Sequence, residues 1–176
     1  MFRPQIAVIG SGKINDGEPI FVIAQELGKR LVDEGYIVIS GGLGGVMEAV
    51  SKGAKSSLSY KDGMTVGILP SLDSNTANEY IDVRIATGLS FARNQVIIAS
   101  ADVVVSISGG AGTLSEIAFA WQLRKPVIAF STTGGWSEEL GGRKLDDTRE
   151  DEILIANNVV DVMSYIAEIL QNKNSN

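Results

Sequence analysis

The sequence predicts a doubly wound α/β domain, a mostly parallel sheet with helices on both faces. Three observations predict it. Short β-branched runs such as Val103-Val104-Val105 read as strands buried on both faces, the habit of a parallel sheet. Such runs alternate with segments of helical spacing along the chain. Two of the strands also end in glycine-rich turns that restart directly as helices. A chain of 176 residues holds one domain with a full core, and no internal repeat or linker divides it. The domain is expected over residues 1–172, with a frayed polar tail at 173–176.

Taken in order, Ile6-Ala7-Val8-Ile9 is the first strand, opening into Gly10-Ser11-Gly12-Lys13. A Walker A loop needs Gly at position 7 and Ser or Thr after the lysine, where Ala7 and Ile14 stand. A dinucleotide fingerprint needs Gly at position 15 and an acidic residue at the end of the second strand, where Asn15 and Ser40 stand. Gly10, Ser11 and Gly12 are left as a simple phosphate or ribose contact, or as a plain turn. Pro19 starts a helix buried through Ile20, Ala24, Leu27 and Leu31, and Gly35 ends it. Tyr36–Ile39 is the second strand. After it, Ser40-Gly41-Gly42-Leu43-Gly44-Gly45 leads into a helix at Val46.

Thr65–Leu69 is the third strand, and the polar loop Ser71–Glu79 is expected to fold over a ligand. Tyr80–Ile85 reads as a short strand, and Ser90 as the cap of a helix reaching Ser100. Arg93 falls in the first turn of that helix, where a cation opposes the helix dipole. It is therefore placed to meet an anion or a carboxylate, Asp102 being the plain structural choice. Pro126–Phe130 is a further strand. The segment Ser131–Glu152 is expected to be irregular, with Arg143–Glu152 a solvated loop and Trp136 packing on a sheet edge or a partner rather than stacking on an aromatic ligand. Val159, Val162, Met163, Ile166 and Leu170 mark the last helix.

The densest stretch is Ser108-Gly109-Gly110-Ala111-Gly112-Thr113-Leu114-Ser115-Glu116, between strand Val103–Ile107 and a helix with Leu114, Ile117, Ala118 and Trp121 on one face. Two readings compete. Thr113 and Glu116 have the spacing of a capping box. Three glycines in four residues exceed what a cap needs, and they let a phosphate approach the amides of a helix start. Two glycine junctions in one small domain fit a shared crevice at the carboxyl edge of the sheet.

Composition narrows the chemistry. A formal charge of −6 argues against sequence-independent nucleic-acid binding. With no cysteine and no histidine, thiolate or histidine metal sites and a Ser-His-Asp triad are excluded, and no metal-ligand set is expected in the motifs. Met1–Pro4 leads straight into a strand, and no apolar run reaches a membrane span, so a cytoplasmic protein is expected.

Gly41-Gly42-Leu43-Gly44-Gly45-Val46-Met47-Glu48-Ala49, Val66-Gly67-Ile68-Leu69-Pro70, Arg93-Asn94 and the Gly109–Glu116 stretch stand in this order. The set resembles the LOG-like superfamily once labelled lysine decarboxylases, and within it the branch of molybdenum cofactor carrier proteins. The resemblance spans residues 5–170. It implies a Rossmann-like fold, a homodimer or larger homo-oligomer, and a phosphorylated nucleotide- or pterin-like ligand. That ligand would be molybdenum cofactor or a nucleoside monophosphate, neither being required for folding. Its contacts would come from Gly41, Gly42, Gly44, Gly45, Arg93, Asn94, Gly109, Gly110, Ala111, Gly112 and Thr113. The decarboxylase label has no support in the motifs, since no pyridoxal-phosphate attachment pattern is present.

Phosphoribohydrolase members of the superfamily cut the N-glycosidic bond of nucleoside 5′-monophosphates, and the resemblance carries their catalytic roles onto Arg93 and Glu116. Two departures favour the carrier branch, which binds its pterin phosphate without turning it over. Asn94 stands where the hydrolases have Lys, and Ser108 where they have Pro. A carrier or sensor is the first expectation and a phosphoribohydrolase the alternative. A bare scaffold is the weakest, because both glycine loops are intact.

Overall fold

The computed structural model describes residues 3–174. Seven strands form one sheet in the order β4-β3-β2-β1-β5-β6-β7. They are β1 (Gln5–Gly10), β2 (Ile37–Ser40), β3 (Thr65–Leu69), β4 (Val83–Ala86), β5 (Val103–Ile107), β6 (Val127–Phe130) and β7 (Leu154–Ala156). Every pairing is parallel, so the sheet is wholly rather than mostly parallel. Each connection crosses over one face and leaves no hairpin to reverse a strand.

The helices are α1 (Pro19–Asp33), α2 (Val46–Lys55), α3 (Arg93–Ala99), α4 (Ala111–Gln122), α5 (Gly135–Leu140) and α6 (Val159–Asn174). Helices α1, α2 and α6 bury Phe21, Leu27, Val50 and Ile166 against one face of the sheet. On the opposite face α3 and α4 bury Ile97, Ile98, Ile117 and Trp121. This is the Rossmann-like, doubly wound single domain that the alternation predicts. Two close approaches hold the first layer. A Cβ on Gly28 would lie 1.9 Å from the carbonyl oxygen of Val50, and one on Gly53 would lie 1.8 Å from that of Gln25. Helices α1 and α2 therefore touch backbone to backbone.

Several local readings are corrected. Strand β4 begins at Val83, not Tyr80, because Tyr80 is taken up by a turn that gives its carbonyl to Thr65 Oγ1. Ser90 is no cap. It has φ +50 and opens a 3₁₀ turn (Ser90–Ala92) that precedes α3. Helix α3 buries Asn94, Ile97 and Ile98. Helix α4 buries Thr113, Glu116, Ile117, Ala120 and Trp121 rather than Leu114 and Ala118. Its N-cap is Gly110, so Thr113 lies inside the helix and the capping-box reading fails.

The segment expected to be irregular contains α5, and β7 follows it at the sheet edge. The apolar run Ile153-Leu154-Ile155-Ala156, four residues with no alternation, is too short to announce a strand. Arg149 is buried, not solvated. Its guanidinium lies 4.5 Å from the Trp121 ring and donates to the carbonyls of Trp121 and Lys125. Asp102 pairs with Lys173 and accepts from the Gln5 amide, so it is not the partner of Arg93. Lys173 and Asn174 continue α6, while Met1, Phe2 and the tail residues Ser175 and Asn176 lie outside the described residues. No helix among the described residues is long and apolar enough to cross a membrane.

Candidate functional site

The sheet order runs outward in both directions from the β1–β5 pair, which makes the carboxyl ends of these strands the switch point of the fold. A cleft of about 560 Å³ opens there. It is lined by Val8 to Lys13, by Gly41 and Met47, by Phe91, Arg93 and Asn94, and by Gly110 to Thr113 with Glu116. Four separate stretches of sequence therefore meet on one site.

The loop after β5 is held from behind. Ser108 and Gly109 take left-handed conformations, φ +56 and +104, which turn the chain sharply into α4. The Ser108 amide donates to Thr133 Oγ1 at 2.8 Å, and Ser137 Oγ donates to the Ser108 carbonyl at 2.7 Å. The Trp136 amide donates to the Gly109 carbonyl at 3.1 Å. A Cβ on Gly109 would lie 2.3 Å from Thr113 Oγ1, so this glycine serves the turn itself.

Gly110 and Gly112 differ. A Cβ on either meets nothing within 4 Å, so the protein's own packing does not require glycine at either position. No side chain caps α4, and its first-turn amides face the same region as these glycines. A helix start free of its own cap, beside two glycines with open space around them, suits an incoming anion.

The second glycine loop is divided. Only Gly41 lines the cleft. Gly45 caps α2 at φ +68, and a Cβ there would lie 2.3 Å from the Ser11 carbonyl oxygen. The Val46 amide donates to that same carbonyl at 2.9 Å, so the first amide of α2 is taken up by the first loop. Gly42, φ +71, packs on Gly67, and a Cβ on Gly44 would lie 3.8 Å from Glu48 Oε2 and 3.9 Å from the Gly12 carbonyl oxygen. Asn78 ties this loop down, its amide donating to the Gly42 carbonyl and its side chain to that of Leu43. Through Asn78 the polar loop Ser71–Glu79 buttresses Gly42 and Leu43. Gly10 is needed where β1 meets β5, since a Cβ would lie 2.2 Å from the Ile107 carbonyl oxygen.

Arg93 crosses from α3 to α4. Among the described residues its guanidinium donates from Nη1 to Asn94 Oδ1 and, at 3.5 Å, to Glu116 Oε1. Its buried Nε has no hydrogen-bond partner. A Cβ on Gly41 would lie 2.7 Å from Arg93 Nη2, so the glycine makes room for the guanidinium. Asn94, itself buried, donates to Ser115 Oγ at 2.9 Å and to the Gly112 carbonyl at 3.4 Å. It thus links Arg93 to the first turn of α4. Burial pushes the Glu116 carboxyl up to about 7, against the pull of the Arg93 charge. The same burial lowers Arg93, with Glu116 opposing.

Of the predicted site residues, the cleft gathers Gly10, Ser11, Gly12, Gly41, Arg93, Asn94, Gly110, Ala111, Gly112, Thr113 and Glu116. Gly42, Gly44, Gly45 and Gly109 are not part of its lining. Phe91, Met47 and Lys13 also line the cleft, beyond the residues that the sequence motifs point to, and Phe91 stands two residues from Arg93. Among the described residues no group of three or more His, Cys, Asp or Glu is placed to hold a metal ion.

The molybdenum cofactor binding protein from Rippkaea orientalis has the same fold, with a TM-score of 0.81 and 34% identity, covering 97% of this chain and 99% of that one. The molybdenum cofactor carrier protein from Chlamydomonas reinhardtii matches with a TM-score of 0.80 and 30% identity, covering 96% and 99%. A cytokinin riboside 5′-monophosphate phosphoribohydrolase from Mycobacterium tuberculosis is 29% identical over 102 residues, 56% of this chain and 52% of that protein. The chain spans about half the length of that enzyme. The model of the SLOG cluster4 family matches residues 3–163, and the chain belongs to that family.

Proposed function

We propose that the cleft binds a phosphorylated pterin- or nucleotide-like small molecule, with its phosphate at the start of α4, and that the protein carries or senses this ligand. One observation carries the reading. The uncapped helix start, with open space at Gly110 and Gly112, shares a cleft with an arginine whose Nε has no partner. An anion there gains the α4 amides and a cation together. The molybdenum cofactor binding and carrier proteins of the same fold support the pterin phosphate as the ligand. With no built cluster of metal ligands among the described residues, a carried metal would arrive inside its own organic chelate.

Asn94 supports carriage over turnover. It is a neutral bridge between Arg93 and α4, where the resemblance gives the hydrolases a lysine. Phosphoribohydrolysis is the second reading, favoured by Glu116, a buried carboxyl beside the cleft with an arginine in reach. Ionised, it would stabilise the ribosyl cation that forms as the N-glycosidic bond breaks.

Native mass spectrometry of the protein as purified, and after incubation with AMP, tests the binding. A phosphorylated non-covalent adduct, lost in Arg93→Ala, is expected. A bare chain in every sample overturns the reading.

A further inference from the structure

Among the large apolar side chains that stand exposed in the described residues, Phe91 alone lines the cleft. It is 83% exposed, so the folded core gains almost nothing from it. The backbone nevertheless goes out of its way to present it. Ser90, immediately before it, sits at φ +50, a conformation that residues with a side chain reach only at a cost. Hydrogen bonds hold this turn on both sides, from the Ser90 amide to the Pro70 carbonyl at 2.9 Å and from the Ala92 amide to the Leu89 carbonyl at 3.0 Å. The ring is two residues from Arg93, and the half-buried Met47 lines the same cleft.

We infer that Phe91 is the stacking platform for the planar heterocycle of the ligand, a purine or pterin ring, while the phosphate sits at the start of α4. The inference rests on the phosphate-anchored reading of the cleft and adds the subsite that recognises the ring. A fused heteroaromatic ring has a polarisable face that an exposed phenyl ring matches in an offset stack. The Met47 thioether is the kind of group that packs well beside such a ring. Stacking does not read the ring's edge, so the platform accepts purines and pterins alike and leaves discrimination to other groups.

The test compares AMP with ribose 5-phosphate, which keeps the phosphate and lacks the ring. Dissociation constants are measured for wild type, Phe91→Ala and Phe91→Trp, with the mass of each variant read by light scattering. Because Phe91 is exposed, neither substitution disturbs the core. Wild type is expected to prefer AMP by about ten-fold, the order that one stacked base contributes. Phe91→Ala should lose that preference while binding ribose 5-phosphate as wild type does, and Phe91→Trp should keep it.

An unchanged preference in Phe91→Ala overturns the platform. So does a change in mass for Phe91→Ala, which would make Phe91 an interface residue. If wild type binds neither ligand, the phosphate reading fails and the platform with it. Binding of both ligands with equal affinity leaves the phosphate site standing and overturns the platform alone.

Discussion

Arg93 Nη1 lies 3.5 Å from Glu116 Oε1, and the two side chains are only 12% and 9% exposed. At that separation the contact is long for a charge-assisted hydrogen bond. The Asn94 side chain shares Nη1 with it. The pair is therefore close enough to influence one another's ionisation and too loose to satisfy either charge. Replacing Asp102 by Glu116 as the partner of Arg93 turns a surface ion pair into a feature of the cleft.

Glu116 makes stability fall as pH rises. Its carboxyl is raised from 4.5 to about 7 in the folded protein, so the folded state holds the proton more tightly than the unfolded chain. That contribution is fully present below about pH 4.5 and is lost as pH climbs through about 7. The loss is on the order of 3 kcal/mol. Urea denaturation from pH 5 to pH 8 should show the decline, and Glu116→Gln should flatten it. An equally steep decline in the variant would assign it to other groups.

Gly112→Ala separates folding from binding. Nothing lies within 4 Å of the added Cβ, and the position is helical, so stability should rise by up to about 1 kcal/mol. Binding of phosphate or AMP should weaken, because the methyl group enters the space held open beside the α4 amides. Thermal melts with and without ligand check both. A variant that gained stability and bound AMP like wild type would place the anion elsewhere.

Turnover distinguishes carriage from hydrolysis. A carrier releases no free base from AMP, GMP or CMP. If wild type does release base, Glu116→Gln should slow it by about 10²–10³-fold, the cost of one preorganised electrostatic contact. The rate should then rise with pH through about 7, as the carboxylate forms. Turnover lost in both Glu116→Gln and Arg93→Ala would establish the hydrolase and displace the carrier.

The fold was legible because a wholly parallel sheet writes itself as apolar runs, and β3 at Thr65–Leu69 was read to the residue. The chemistry of α4 was harder. Periodicity places Leu114 and Ala118 on the inner face, yet the helix turns Thr113 and Glu116 inward, and Glu116 meets Arg93 there. No propensity scale rewards burying a carboxylate, so only its tertiary partner explains it. The glycine loops were found but not divided. A positive φ or a backbone contact distinguishes Gly45 and Gly109 from Gly110 and Gly112, and neither leaves a mark on the sequence. Arg149 was hidden for the same reason, in a charged run whose one buried member lies over Trp121.

Assembly is expected from the resemblance, and the structure supplies apolar surface for it. Leu72, Val83, Ile85 and Leu89 stand exposed at or beside the β4 edge. Light scattering at micromolar concentration should give at least twice the chain mass of 18.7 kDa. A value at the chain mass contradicts a stable dimer.

The central claim is that the start of α4 and Arg93 together bind a phosphate. Calorimetric titration of wild type and Arg93→Ala with AMP and with adenosine, which differ only in that group, tests it most directly. The account predicts that wild type binds AMP at least about ten-fold more tightly than adenosine, the scale of a charge-assisted contact. It also predicts that inorganic phosphate competes with AMP and that Arg93→Ala removes most of the difference. Equal affinity of wild type for AMP and adenosine, or a preference for AMP that survives intact in Arg93→Ala, would contradict it.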